Sequence, residues 1–217
     1  MARLKLGVLI SGRGSNLEAL VRAFEAPQAR VGITVVASNV EFAAGLELAR
    51  RHGIATASID HRAYSDRASF DARLDEVLSS AGVDLVCLAG FMRLLGDDFV
   101  SAWRDRLLNI HPSLLPAFKG RHPQLQALEA GVRVSGCTVH YVRPAMDAGP
   151  IIAQAAVPVL VGDDEASLSR RILAAEHRLY PAVVELIADG QIKIIGERVE
   201  LTPEAQKKLN ACNGLQC

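Results

Sequence analysis

Short apolar runs, recurring between helix-patterned segments, constrain this chain more than any other feature. LKLGVLI at 4–10 is continuous and apolar, as expected of a strand buried on both faces. Residues 15–24 then place Leu17, Leu20, Val21 and Phe24 at helical spacing, with Ser15 or Asn16 available as a cap. ITVVAS at 33–38 reads as a second strand, and 42–52 as a helix closed by Gly53. A short strand near 55–59, a helix over about 66–81, a strand in VDLVCLAG at 83–90, a short helix at 97–104 and a strand in LLNI at 107–110 complete the series. Strand–helix–strand repeated in this way predicts an α/β fold: a doubly wound, mostly parallel sheet with right-handed crossovers.

After residue 110 the grammar changes. VSGCTVHYV (134–142) and PIIAQAAVPV (150–159) are two strands joined by the short loop RPAMDAG, an antiparallel C-terminal addition. Residues 164–189 form a long amphipathic helix and 191–201 a closing strand pair. The pattern predicts a single domain over 1–202, with a first half to about 105 and a second from about 106. The end, PEAQKKLNACNGLQC (203–217), is expected to be a polar, frayed tail.

Bulk properties exclude several classes. A length of 217 residues with 50% hydrophobic content suits one compact domain. The 24 basic and 24 acidic residues cancel, so bulk charge gives no pull towards nucleic acid or an anionic membrane. No apolar run is long enough to span a bilayer. The opening MARLKLGVLI has too short an apolar stretch for a secretory signal, so a cytoplasmic protein is expected. Of the four cysteines, Cys87 and Cys137 fall in strand-like runs, and Cys212 and Cys217 in the tail. None shows C-x-x-C spacing, which argues against structural zinc and for core cysteines with exposed tail thiols.

Two segments carry chemistry. SGRGSNLEAL (11–20) joins the first strand to the first helix, and Gly12 and Gly14 permit a tight turn with outward backbone N–H groups at a positive helix end. Leu17 replaces the third glycine of a dinucleotide fingerprint. Ser38-Asn39 stand where a ribose-binding acid would, and no G-K-[ST] follows. A monophosphate therefore fits better than a dinucleotide or a triphosphate; the alternative is a turn needed only for chain reversal. LLNIHPSLLPAFKG (107–120) places Asn109 and His111 two apart, on one strand face, at the carboxyl edge where open α/β sheets bind ligands. Pro112 then turns the chain away. An amide and an imidazole so placed can donate to a developing oxyanion, and a His can pass a proton. The alternative is a hydrogen-bonded structural histidine. Asp147, in MDAGP, could orient that imidazole, or could be a turn residue before Gly149.

Together, LISGRGSNL, LAGFMRLL (88–95), LLNIHPSLLPAFKG, SGCTVHYV (135–142) and DAGPII (147–152), in that order, resemble the phosphoribosylglycinamide formyltransferases, folate-dependent enzymes of purine biosynthesis. The resemblance runs from about residue 4 to about 200. It implies a Rossmann-like fold and transfer of the formyl group of 10-formyltetrahydrofolate to the amine of glycinamide ribonucleotide, giving formylglycinamide ribonucleotide on the route to IMP. It implies that Gly14, Ser15 and Asn16 hold the substrate phosphate and that Glu176 contacts the ribose. Without the resemblance, Glu176 would read as part of a solvated helix face. Arg67, Met92, Arg93, Leu94 and Leu95, with Asn109, would bind folate; Asn109, His111 and Asp147 would be the catalytic set. The implied partners are the two small molecules, with no metal, nucleic acid or membrane, in a monomer or homodimer.

The chain departs from the family in two places. Gln124 stands where many relatives have a histidine, with His122 two positions earlier, and RPAM before Asp147 lacks the acidic residues common there. Methionyl-tRNA formyltransferases share HPSLLP but continue into a tRNA-gripping domain, and formyltetrahydrofolate deformylases carry an extra N-terminal domain. The deformylase activity and a non-catalytic folate-binding module on the same fold are the alternatives to the transferase. Retention of Asn109, His111 and Asp147 together argues against the module.

Overall fold

The computed structural model describes residues 3–212. The chain packs as two compact units, one made of residues up to 109 with 142–144, the other of 110–141 with the residues from 145 onward.

The first unit is the parallel part. Strands β1 (Leu4–Ile10), β2 (Val31–Ser38), β3 (Ala55–Ser58), β4 (Leu85–Leu88) and β5 (Leu107–His111, whose last two residues belong to the second unit) lie in the order β3-β2-β1-β4-β5. Every pairing among them is parallel. The crossovers carry helices α1 (Ser15–Phe24), α2 (Ala44–Arg51), α3 (Arg67–Ser80) and α4 (Asp97–Ala102). Apolar spacing makes α1 amphipathic, and Leu17, Leu20, Val21 and Phe24 are buried. Asp66 starts α3 by accepting from the Ser69 N–H at 2.7 Å. Leu9, Phe70, Leu74, Val86, Trp103 and Leu107 share one core. Truncating a Leu or Phe there to Ala would cost about 2–5 kcal/mol. Strand order reverses at β1, between β2 and β4, so the carboxyl ends of β1 and β4 form the crevice in which open α/β sheets take ligands.

The second unit is the antiparallel part. The end of β5 is followed by α5 (Pro123–Glu129), then β6 (Val134–Tyr141) and β7 (Ile151–Pro158). The last two pair antiparallel with a register shift between Val139 and His140. Helix α6 (Glu165–Ala188) opens with a capping box between Asp164 and Ser167 and buries Leu168, Ile172, Ala175, Leu179, Val183 and Leu186. Strands β8 (Ile192–Ile195) and β9 (Arg198–Leu201) form a separate antiparallel pair.

The architecture is the expected one: α/β, mostly parallel, with antiparallel C-terminal strands. The expected frayed tail is a correction. Residues Pro203–Cys212 form helix α7, whose Ala205 and Leu209, one turn apart, are buried. Cys217 and the end of that tail lie outside the described residues, and Cys212 is a free, half-buried thiol. Helix α5 and a single 3₁₀ turn at His61–Ala63 were not read from the sequence. Cys87 and Cys137 are buried and form no disulfide, core cysteines as expected.

Candidate active site

In the first unit, the turn after β1 is set by Gly14. Its φ of 77° is left-handed, and a Cβ there would stand 2.9 Å from the Gly45 Cα, so only glycine fits. Gly14 is the N-cap of α1 and supplies no side-chain cap, so the first helical N–H groups, at Ser15 and Asn16, form the start of the dipole. Arg13 is exposed beside them. Backbone N–H groups at a helix start of this kind can receive an anion.

Ser11 ties that turn to the segment after β4. Its N–H donates to the Gly90 carbonyl at 3.1 Å, its Oγ accepts from the Met92 N–H at 2.7 Å, and its hydroxyl donates to Asn39 Oδ1 at 2.5 Å. Of the expected folate residues of this unit, Met92 is thereby tied by its backbone to the turn after β1. Met92 and Leu94 are exposed, while Leu95 is partly buried against the core. The Arg93 guanidinium sits 4.8 Å from the centre of the Phe70 ring. Arg67 opens α3 and lines a cavity of about 470 Å³, together with Asp71, Asp75, Gly96, Phe99 and Ala102. That cavity contains none of Asn109, His111 or Asp147, so we do not assign the chemistry to it.

Strand β5 carries Asn109 and His111, two of the three expected catalytic residues. Asn109 pairs with Leu88 of β4 in the parallel ladder, is half-buried, and shares its strand face with His111. In the second unit His111 is 4% exposed. Its Nδ1 lies 3.4 Å from Asp147 Oδ1, and its Nε2 lies 2.9 Å from the Phe118 carbonyl oxygen. Both partners are acceptors, and a neutral imidazole, with one N–H, can donate to only one of them. Asp147 is itself fixed: its φ is 47°, and its Oδ2 accepts from the Gly120 N–H at 2.7 Å. The turn that holds Asp147 thus aims it at a histidine far away in sequence, which a simple turn residue would not need.

His140 is a buried titratable residue that the sequence reading did not single out. It is 1% exposed on β6, and its Nδ1 faces the Tyr141 carbonyl at 3.0 Å. Burial pushes its pKa below the ordinary histidine value; the Tyr141 carbonyl and then the Asp147 charge oppose that shift, and His111 reinforces it. The signal was present as a titratable residue inside the apolar run CTVHYV. Glu176, on α6, is 5% exposed, so it is not on a solvated helix face. Its charge adds to the burial that drives the Cys137 thiol pKa up to about 12, which makes Cys137 an inert core residue. His122 is the left-handed N-cap of α5, and its Nδ1 lies 3.5 Å from Glu165 Oε1 at an exposed position. Among the described residues no group of three or more His, Cys, Asp or Glu could hold a metal ion. No described helix is long and apolar enough to cross a membrane.

Residues 4–184 match the family described as Formyl transferase. The phosphoribosylglycinamide formyltransferase of Escherichia coli K12 is 44% identical over 88% of this chain and 90% of its own. The trifunctional purine biosynthetic protein adenosine-3 of Homo sapiens is 50% identical over 88% of this chain, but the chain spans only 19% of that protein, as it does of similar animal relatives. Among solved structures, glycinamide ribonucleotide transformylase 1 from Symbiobacterium toebii superposes with a TM-score of 0.89 at 52% identity, covering 92% of this chain and 94% of that one. A formyltetrahydrofolate deformylase from Burkholderia mallei superposes at 0.83 with 27% identity, covering 93% of this chain and 70% of that one. The chain belongs to the formyl transferase family and, within it, to the phosphoribosylglycinamide formyltransferases.

Proposed function

We propose that this chain transfers the formyl group of 10-formyltetrahydrofolate to the primary amine of glycinamide ribonucleotide. The observation that carries the reading is the His111–Asp147 pair, held by its own loop bonds, with Asn109 two residues before His111 on the same strand face. Gly14, Ser15 and Asn16 hold the substrate phosphate with backbone N–H groups at the start of α1. Glu176 holds the ribose. Arg67, Met92, Arg93, Leu94 and Leu95, with Asn109, bind the folate.

In this reading the amine nitrogen forms a bond to the formyl carbon, and its electron pair drives the carbonyl oxygen to an oxyanion. The Asn109 amide donates to that oxygen, and the His111 ring joins it once Nε2 has taken the proton that the amine loses; each such donor is worth roughly 10²–10³ in rate. The bond from the formyl carbon to folate N10 then breaks, and the proton lost by the amine is returned to N10. His111 is the shuttle for that proton, directly or through one water, and Asp147 keeps its ring in register. The Phe118 carbonyl now on Nε2 must give way for the ring to reach the reacting atoms. No metal enters this scheme.

The test is an assay of formyl transfer with both substrates, run beside one without the ribonucleotide. Formylglycinamide ribonucleotide formed only when both are present supports the transferase. Release of formate at the same rate without the amine would make the chain a deformylase, and turnover of neither would leave a binding module.

A further inference from the structure

Asp71 lies on the buried side of α3 with 6% of its surface exposed. Its Oδ2 accepts from the backbone N–H of Gly96 at 2.7 Å. Its Oδ1 is buried and has no hydrogen-bond partner among the described residues. A carboxylate in that setting is unfavourable, because desolvation opposes its charge. Burial accordingly raises the Asp71 pKa above the usual carboxylate range, opposed first by the Gly96 N–H and then by the charges of Arg93 and Arg67.

Arg93 shows the complementary deficit. Its guanidinium rests over the ring of Phe70, the residue next to Asp71, and its Nε is buried with no hydrogen-bond partner among the described residues. Arg67 precedes Asp71 by four positions on the same helix and so shares its side. The first turn and a half of α3 therefore offers Arg93 an aromatic face and a negative charge. Gly96 completes the arrangement. A Cβ there would stand 2.9 Å from Asp71 Oδ2, so the absence of a side chain is what lets the carboxylate close on the end of the 90–96 segment.

A residue needed only to fill the space between α3 and that segment would be apolar. We propose that Asp71 is a positioning residue for donor binding: its carboxylate anchors the segment at Gly96 and, by its charge, holds the Arg93 side chain where it can receive the carboxylates in which a folate ends. The proposal rests on the folate-binding reading of Arg93. Guanidinium forks match carboxylates in shape and charge, and an arginine pre-set by a nearby charge loses less freedom when it binds one.

The experiment is a kinetic cycle on the full chain. Asp71→Asn keeps the size and an acceptor for the Gly96 N–H and removes the charge. It is expected to raise KM for 10-formyltetrahydrofolate about tenfold, the scale of one hydrogen-bonded charge. KM for the ribonucleotide and kcat should stay within about twofold. Arg93→Ala should raise the donor KM on its own, and on that background Asp71→Asn should change it by less than about twofold, because the partner it acts through is gone. An unchanged donor KM in Arg93→Ala would remove the folate reading of Arg93 and the proposal with it. If Arg93→Ala raises the donor KM but Asp71→Asn does not, the proposal alone is overturned. A full Asp71→Asn effect that persists without Arg93 overturns it as well, since Asp71 would then act on the fold. Should Asp71→Asn fail to fold, Asp71→Ser, which keeps an acceptor on a shorter side chain, runs the same cycle with the same outcomes.

Discussion

The glycine turn of the first unit and the His111–Asp147 pair of the second are built in opposite ways. The turn is backbone: its geometry comes from one left-handed glycine, and its donors are N–H groups at a helix start. The pair is side chain: a 4%-exposed imidazole and a carboxylate meet because a loop and a strand end are each fixed by their own bonds. A backbone cradle tolerates changes in most of its side chains and loses function when φ is disturbed. A side-chain pair tolerates neither loss of charge nor loss of reach. Binding and chemistry should therefore respond to different kinds of mutation, with little crossover.

The largest effect is expected at the pair. Asp147→Asn leaves a side chain of the same size beside His111 but takes away the charge and one acceptor. The imidazole loses its orienting partner, and kcat should fall by roughly 10²–10⁴, the usual range for a displaced acid–base group. Binding of glycinamide ribonucleotide, measured by calorimetry, should be preserved. A parallel loss of ribonucleotide affinity would break the division between the two regions.

Asn109→Ala should come next. Its amide should count chiefly when the oxyanion forms, so kcat should drop about 10²-fold while KM for the ribonucleotide holds within a few-fold. A raised KM with unchanged kcat would move Asn109 from chemistry to binding.

At the turn, Gly14→Ala puts a side chain on a residue with φ of 77° and drives its Cβ to 2.9 Å from Gly45 Cα. The conformation alone costs roughly 1–2 kcal/mol, visible as a lower unfolding midpoint. The ribonucleotide KM should rise about tenfold with kcat nearly intact, since the cradle shifts and the pair does not. Removing the phosphate from the substrate should then bring wild type and variant to equal affinity. If the variant remains weaker towards the dephosphorylated nucleoside, the turn does more than hold a phosphate.

The same contrast governs what could be read in advance. Parallel strands announce themselves as continuous apolar runs; β1 and β4 fall within theirs, and β2 starts two residues before its run. Helix α7 was missed because only Ala205 and Leu209 carry its buried face, too thin a stripe among PEAQKKLNAC. Helix α5 has seven residues and follows a proline-rich segment that reads as loop. The glycine turn was legible because a turn is local chemistry. Asn109 and His111 were legible as a strand face, but only the fold brings Asp147 to His111. Buried polar residues were the blind spot. Asp71 and His140 sit where the pattern expects apolar side chains, and sequence periodicity cannot say that such a residue faces a charge rather than water.

The smallest predicted effect uses His140 to test whether the two regions also differ in how they respond to acid. His140 is buried with its pKa lowered, chiefly by desolvation, so the folded protein holds the ring neutral at a pH where the unfolded chain would protonate it. Below the unfolded value of 6.5 the unfolded state binds a proton that the folded state does not. By linkage, stability is then lost as pH falls through 6.5, and this contribution levels off only once pH passes below the folded value. His140→Gln keeps a donor for the Tyr141 carbonyl and removes the titration. Urea unfolding at about pH 7.5 and about pH 5.5 should show a smaller loss of stability on acidification in the variant than in the wild type. Gly14→Ala is the control, because its strain has no proton in it. It should lower stability by the same amount at both pH values and leave the acid loss unchanged. An acid loss in His140→Gln equal to that of the wild type would mean that His140 is not the group whose burial makes the second unit sensitive to acid.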